Sequence, residues 1–151
     1  FIKENWGENQ DFFNTTTPFP MGPALKDNLA EVEDFVRIVQ AGTSVKLNDE
    51  VFSETLTIAD RSIFSVFDFE IIKGNRSSLL DQAGKIILTE ASAKKYFGEE
   101  NPIEKTLLLQ LGINFESFIV SGVVKLPTNS SIQFDMLISD QNLIKLYPER
   151  V

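Results

Sequence analysis

The chain has 151 residues, 42% of them hydrophobic and 24% charged, the balance of one globular domain or of two small lobes sharing a core. With 14 Lys+Arg against 22 Asp+Glu, its formal net charge is −8, the wrong sign for tracking nucleic-acid phosphates or for holding an anionic membrane surface. Neither Cys nor His occurs, which removes disulfides, thiolate nucleophiles, Cys-ligated zinc, the commonest general base and any Ser-His-Asp triad.

Residues 1–20 alternate polar and aromatic side chains and carry two prolines, which predicts an irregular lead-in. A short helix follows, from about Gly22 to Leu29, with Pro23 in its first turn and Leu25 and Leu29 on one face. Glu31 to Asp34 is an acidic connection. Phe35 to Val39 reads as a strand bounded by Ala41-Gly42. Ser44–Leu47 and Val51–Ile58 read as a hairpin around Asn48-Asp49.

Asp60 is the expected N-cap of a helix from Arg61 to Phe67, in which Ile63, Phe64 and Phe67 share a buried face. Asp68 and Gly74 bracket a strand from Phe69 to Lys73, and Asn75 to Gly84 is a turn-rich connector anchored by Leu79-Leu80. Lys85 to Thr89 is a strand whose continuous apolar centre implies burial on both faces. Thr89 caps a helix from Glu90 to Phe97, with Glu90 at its start, Lys94 and Lys95 near its end, and Gly98 as a left-handed C-cap.

Thr106–Leu111 and Phe115–Val124 form a second hairpin around Gly112-Ile113-Asn114. Gly122 inside its second strand indicates a bulge or a close backbone approach. Phe134–Ile138 is the last strand, and Asp140 caps a final helix through Tyr147. No apolar run reaches the ~18–20 residues of a membrane span, and the chain opens on Phe1 with no basic-then-apolar leader. A chain cut from a longer membrane protein would have its anchors outside this segment. The thirteen phenylalanines read as a Phe-rich core.

Few residues suit chemistry. Asp60, Asp68 and Glu70 lie close in sequence, as do Glu99 and Glu100. Paired carboxylates can do acid/base work or hold a cation. Neither set has the alternating ligands of a calcium loop, so both read as caps and solvated surface. Gly74-Asn75-Arg76-Ser77-Ser78 lacks the glycine spacing and the lysine of a phosphate loop and reads as a turn. Asn14-Thr15-Thr16, Asn75-Arg76-Ser77 and Asn129-Ser130-Ser131 match the glycosylation tripeptide and carry little weight in a chain rich in Asn and Ser. No catalytic, cofactor-binding or metal-binding residue is assigned, and no cofactor is expected.

The run Ile86-Ile87-Leu88-Thr89-Glu90-Ala91-Ser92-Ala93-Lys94-Lys95-Tyr96-Phe97-Gly98-Glu99-Glu100-Asn101-Pro102-Ile103 resembles the signature of the MacB-like periplasmic core domain of ABC-transporter permeases. Pro102-Ile103-Glu104-Lys105-Thr106-Leu107 departs from it at Glu104, where that family usually has Gly; Glu disfavours positive φ. Val66 to Asn75, Phe118 to Val124 and Pro127 to Asp135 are similar to further segments of the family, as is Val32 to Ile38. The resemblance covers about Met21 to Ser139, in order.

The resemblance implies an α+β fold of two small α/β lobes, a porter-like lobe with an inserted second lobe, and mixed or antiparallel sheets with short helices. The first lobe would comprise 21–59 and 125–151, and the inserted lobe 60–124. It also implies an extracytoplasmic, non-catalytic domain of a permease subunit in the inner membrane, which contacts cargo or a periplasmic partner and relays ATP-driven movement for export, lipoprotein release or signalling. Its partners would be a cytoplasmic ATPase, a second permease subunit, and an adaptor or lipoprotein, with no nucleic acid; the isolated domain would be a monomer or weak dimer. Phe67, Phe69 and Phe97 would then be core anchors, Gly98 and Pro102 would set a turn, and Gly122 would admit a close backbone. The alternatives left open are a free-standing periplasmic module that captures a small ligand and, less favoured, a carboxylate-dependent hydrolase.

Overall fold

Leu107, Leu109 and Leu111 are buried while Thr106, Leu108 and Gln110 are not, and the same period of two recurs over residues 38–43 and 116–120. The computed structural model describes residues 2–5, 11–14 and 17–147. Two compact units are present, 1–37 and 38–151. In the first, β1 (Ile2–Asn5) and β2 (Asp11–Asn14) pair antiparallel within the segment expected to be an irregular lead-in. Helix α1 (Met21–Asn28) follows, with Pro23 in its first turn and no buried residue. Here the Arg37 guanidinium lies 4.2 Å from the centre of the Phe19 ring, and Lys26 pairs with Asp34 at 3.0 Å. Thr15 and Thr16 of the first glycosylation tripeptide lie outside the described residues.

The second unit contains β3 (Ile38–Leu47), β4 (Glu50–Ala59), α2 (Ile63–Val66), β5 (Glu70–Gly74), β6 (Lys85–Thr89), α3 (Glu90–Phe97), β7 (Thr106–Leu111), β8 (Asn114–Lys125), β9 (Met136–Ser139) and α4 (Leu143–Leu146). Its ladders close on themselves. Strand β8 pairs with β6, β6 with β9, β9 with β4, β4 with β3, β3 with β7, and β7 again with β8. The β4–β9 and β6–β8 pairs are parallel and the others antiparallel. Strand β5 joins outside this ring, against the C-terminal end of β8. The twelve residues of β8 serve all three partners, because β7 uses its first half and β6 and β5 its second.

Closing a sheet sends alternate side chains inward. The inward set includes Val45, Leu56, Ile58, Ile86, Leu88, Phe118, Val120, Met136 and Ile138, all at most 1% exposed and members of one apolar cluster. Burying each contributes about 1.5–3 kcal/mol of transfer free energy. The intervening Ile87, Leu137 and Val124 are buried as well, so this stretch of wall is covered on both sides, as the apolar run in β6 implies. A second buried group lies around Phe69, whose ring meets Phe64 and Phe134 edge-on and stacks on Phe67. The fold is thus α+β, with a mixed sheet and short helices. The β6–β9 and β3–β7 ladders join strands of 60–124 to strands of 21–59 and 125–151.

Several local expectations are corrected. The strand expected over Phe35–Val39 begins at Ile38 and runs unbroken through Ala41-Gly42 to Leu47. Ile38 pairs with Ala59, the last residue of β4, so nothing remains to pair residues 35–37. The helix expected from Arg61 is one turn beginning at Ile63, with Ser62 at its N-cap position in place of Asp60. Asp60 is buried, and its carbonyl accepts from Ile63 N–H at 3.0 Å. Asp140 does not cap the final helix either: the Ser139 hydroxyl accepts from Gln141 N–H and caps a single 3-10 turn, Asp140–Asn142, and α4 follows with Asn142 at its N-cap position and no side-chain cap. The first hairpin turn falls as expected, with Leu47 opposite Glu50, while the second is one residue tighter, since Asn114 already pairs with Leu111 and leaves Gly112-Ile113 as the loop.

Candidate functional site

The segment from β6 through α3 to β7 carries the strongest motif, and its geometry follows from its residues. Thr89 Oγ1 accepts from Ser92 N–H at 3.3 Å, satisfying an orphan donor of the first turn. Glu90 sits in that turn and Lys94 and Lys95 in the last, complementing the helix dipole. Gly98 ends the helix at φ +60, ψ −127, so its φ is positive, as a C-cap glycine requires, but its ψ lies outside the left-handed helical well. Its N–H still closes on Lys94 O at 2.9 Å, and Glu100 N–H reaches Phe97 O at 3.1 Å.

A second tight turn follows at once. Lys105 N–H donates to Pro102 O at 3.0 Å, which places Glu104 third in a four-residue turn. Glu104 has φ +67, the value a type II turn requires there and the reason Gly is favoured at that position. Flanking bonds hold this turn with a non-glycine side chain in place. Glu104 N–H donates to Val120 O at 2.9 Å, and Val120 N–H to Lys105 O at 2.8 Å.

Beside these turns opens a surface cleft of about 510 Å³, lined by Leu47, Asn48, Tyr96, Phe97, Glu100, Glu104, Lys105 and Thr106. Asn48 and Glu104 are the non-glycine residues with positive φ among those described, and both line it. The Lys105 ammonium pairs with Glu100 and lies 5.4 Å from the centre of the Phe97 ring. That hydrogen bond holds the Glu100 carboxyl below its usual range. Behind the cleft, Tyr96 stacks edge-on against Phe52, and Lys95 pairs with Glu54. Burial, with the Glu54 and Asp135 carboxylates, pushes the Tyr96 phenol well above its ordinary value.

The other carboxylates weighed from the sequence do not converge. Asp68 pairs with Arg76 at 3.4 Å, Glu70 approaches Lys125 at 3.9 Å, and Glu99 approaches Lys94 at 3.4 Å. Among the described residues no three acidic side chains are placed to hold a metal ion. The Gly74–Ser78 segment is a turn whose donors are spent internally. Asn75 Oδ1 accepts from both Ser77 N–H and Ser77 Oγ. The Arg76 guanidinium donates to the carbonyls of Phe64 and Phe69, fastening the end of α2 to the entry of β5. That role is invisible in sequence, since its partners stand 12 and 7 residues away. Of the expected anchors, Phe69 is buried while Phe67 and Phe97 are partly exposed. Pro102 is buried in the turn it sets.

The chain matches the family described as MacB-like periplasmic core domain over residues 3–150. Its fold is similar to a domain of a permease protein from Porphyromonas gingivalis, with TM-score 0.75 and 25% identity over 91% of this chain and 59% of that one. It is also similar to the extracellular domain of the noncanonic ABC-type transporter YknZ from Gram-positive bacteria, with TM-score 0.65, 19% identity, and 83% and 64% of the two chains covered. The periplasmic region of MacB from Actinobacillus actinomycetemcomitans aligns with TM-score 0.61 and 16% identity, over 86% of this chain and 56% of that one. The chain therefore spans less than two thirds of each of these structures. No curated protein sequence matches. The motif running from β6 into β7, the mixed α+β fold and the match over almost every residue place the chain in the MacB-like periplasmic core domain family.

Proposed function

We propose that the chain is the extracytoplasmic domain of an ABC-transporter permease subunit and that it relays movement without performing chemistry itself. The observation that carries this reading is the family match over residues 3–150. Likeness of fold to domains of a permease, of YknZ and of MacB supports it. So does the composition, which offers no His or Cys for catalysis. Among the described residues no helix is long and apolar enough to cross a membrane, so the spans of such a permease would lie outside them.

In this reading the partners are a cytoplasmic ATPase, a second permease subunit, and a cargo, adaptor or lipoprotein on the outer side. A closed barrel suits a part that must pass on force without deforming, since packed interiors are poorly compressible. The division into a first lobe, 21–59 with 125–151, and an inserted lobe, 60–124, belongs to this reading too. The ligand-capturing module has less to support it. Its sites usually enclose most of a ligand, whereas the clefts here are open surface depressions.

The test uses the full-length protein in cells. Ile113, at the tip of the β7–β8 hairpin, is 92% exposed, and the chain has no native cysteine. Ile113→Cys in otherwise cysteine-free protein should react with a membrane-impermeant maleimide before lysis. Labelling that appears only after the inner membrane is broken would place the domain in the cytoplasm and end the proposal.

A further inference from the structure

The cleft beside Glu104 already seats a cation. Lys105 lies over the Phe97 ring and pairs with Glu100, an aromatic face and a carboxylate around one ammonium group. A second carboxylate, Glu104, stands on the same wall and pairs with no described residue. Its backbone holds φ +67, so a side chain is carried where glycine would be easier.

We propose that this cleft docks a lysine or arginine side chain carried on a basic segment of a partner polypeptide. Glu104 supplies the counter-charge, and Lys105 yields the Phe97 face to the incoming group. Ring faces and carboxylates together recognise guanidinium and ammonium groups. The net charge of −8 draws a basic partner from a distance. The depression is open, which suits a side chain arriving on a chain better than a small cation needing enclosure. The inference goes beyond the permease reading and rests on the cleft alone; labelling of Ile113→Cys tests the other separately.

The experiment titrates the 151-residue chain against a short fluorescein-labelled arginine-rich peptide, by anisotropy, at an ionic strength of ~0.15 M. Glu104→Gly deletes the carboxylate and relaxes the backbone, so it removes the counter-charge without unfolding the chain. It should weaken binding about threefold to fivefold, the loss of one exposed charge pair. Lys105→Met removes the resident competitor and should tighten binding by a similar factor. Glu90→Gln and Lys125→Met make the same charge changes elsewhere and should move affinity by less than half as much. If each cleft variant behaves like its matched control, the peptide is held by diffuse attraction and the proposal fails. It fails equally if free arginine amide binds as tightly as the peptide, for the site would then serve a small cation.

Discussion

Leu79 Cδ2 occupies the space where a side chain on residue 122 would begin, since a Cβ built on Gly122 would lie 2.3 Å from it. Leu79 is fully buried, and its carbonyl accepts from the hydroxyl of Ser121, the neighbour of Gly122, at 2.6 Å. The β6–β8 register skips Ser121, which frees that hydroxyl to point at the loop. One bulge and one glycine thus let the connector between β5 and β6 lie directly on the wall of the barrel.

Gly122→Ala should therefore overpack a rigid contact and lower stability by about 1–3 kcal/mol. Leu79→Ala should cost about 2–5 kcal/mol by leaving a cavity. The double variant should lose less than the two losses combined, by at least ~1 kcal/mol, because the methyl added by Gly122→Ala then enters space that Leu79 vacated. Urea unfolding of the four chains measures this. Strict additivity would show that the two residues do not limit one another.

Phe69 touches three other aromatic rings and is 2% exposed, whereas its neighbour Phe67 is only partly buried. Phe69→Ala should cost about 3–5 kcal/mol, the range for a large core aromatic. Phe67→Ala should cost clearly less. Thermal or urea unfolding that ranks them the other way would mean the group is centred on Phe67.

Much of this arrangement is legible in the residues themselves. The Thr89 cap, the Lys94 and Lys95 end, and the Gly98 stop are local devices, and each acts within one turn of its own residue. The Asn48-Asp49 turn is local too, and Asn48 takes the positive φ that Asn tolerates. What stayed hidden depends on partners far along the chain. The closure of β7 onto both β3 and β8 pairs Lys46 with Leu108, and alternation cannot announce a pairing across that distance. Residues 35–37 look like strand, yet β4 is exhausted before it can reach them. The cleft is illegible in the sequence for the same reason. Asn48 and Glu104 line one cleft only because β3 lies against β7, and the sole local sign is a glutamate standing in a glycine's place.

That glutamate makes a stability prediction of its own. A non-glycine residue at left-handed φ costs roughly 1–2 kcal/mol, and glycine returns about 0.5–1 kcal/mol of that through its freer unfolded state. Glu104→Gly should raise stability by up to ~1 kcal/mol, while Glu104→Val should lower it, because β-branching resists positive φ. A melting temperature that falls in both variants would mean the carboxylate has a stabilising contact outweighing the strain.

Two ion pairs contribute to the acid limb of stability. The hydrogen bond and charge of Lys85 hold the Asp81 carboxyl below its usual range, across 2.7 Å, and Lys105 does the same for Glu100. A carboxyl whose pKa is lower folded than unfolded binds fewer protons in the native state. Its contribution is complete above the unfolded carboxylate range, near pH ~4, and disappears as pH falls through the folded value. Asp81→Asn should thus lower stability at pH ~6, where ordinary carboxylates are ionised. The deficit should shrink steadily under acid until variant and parent coincide. Lys85→Met should move the Asp81 carboxyl titration upward, as read by carbon NMR. If Asp81→Asn and the parent stay a constant distance apart down to the lowest pH, the Lys85 pair does not stabilise the fold. The loss would then belong to packing around Asp81 and not to its charge.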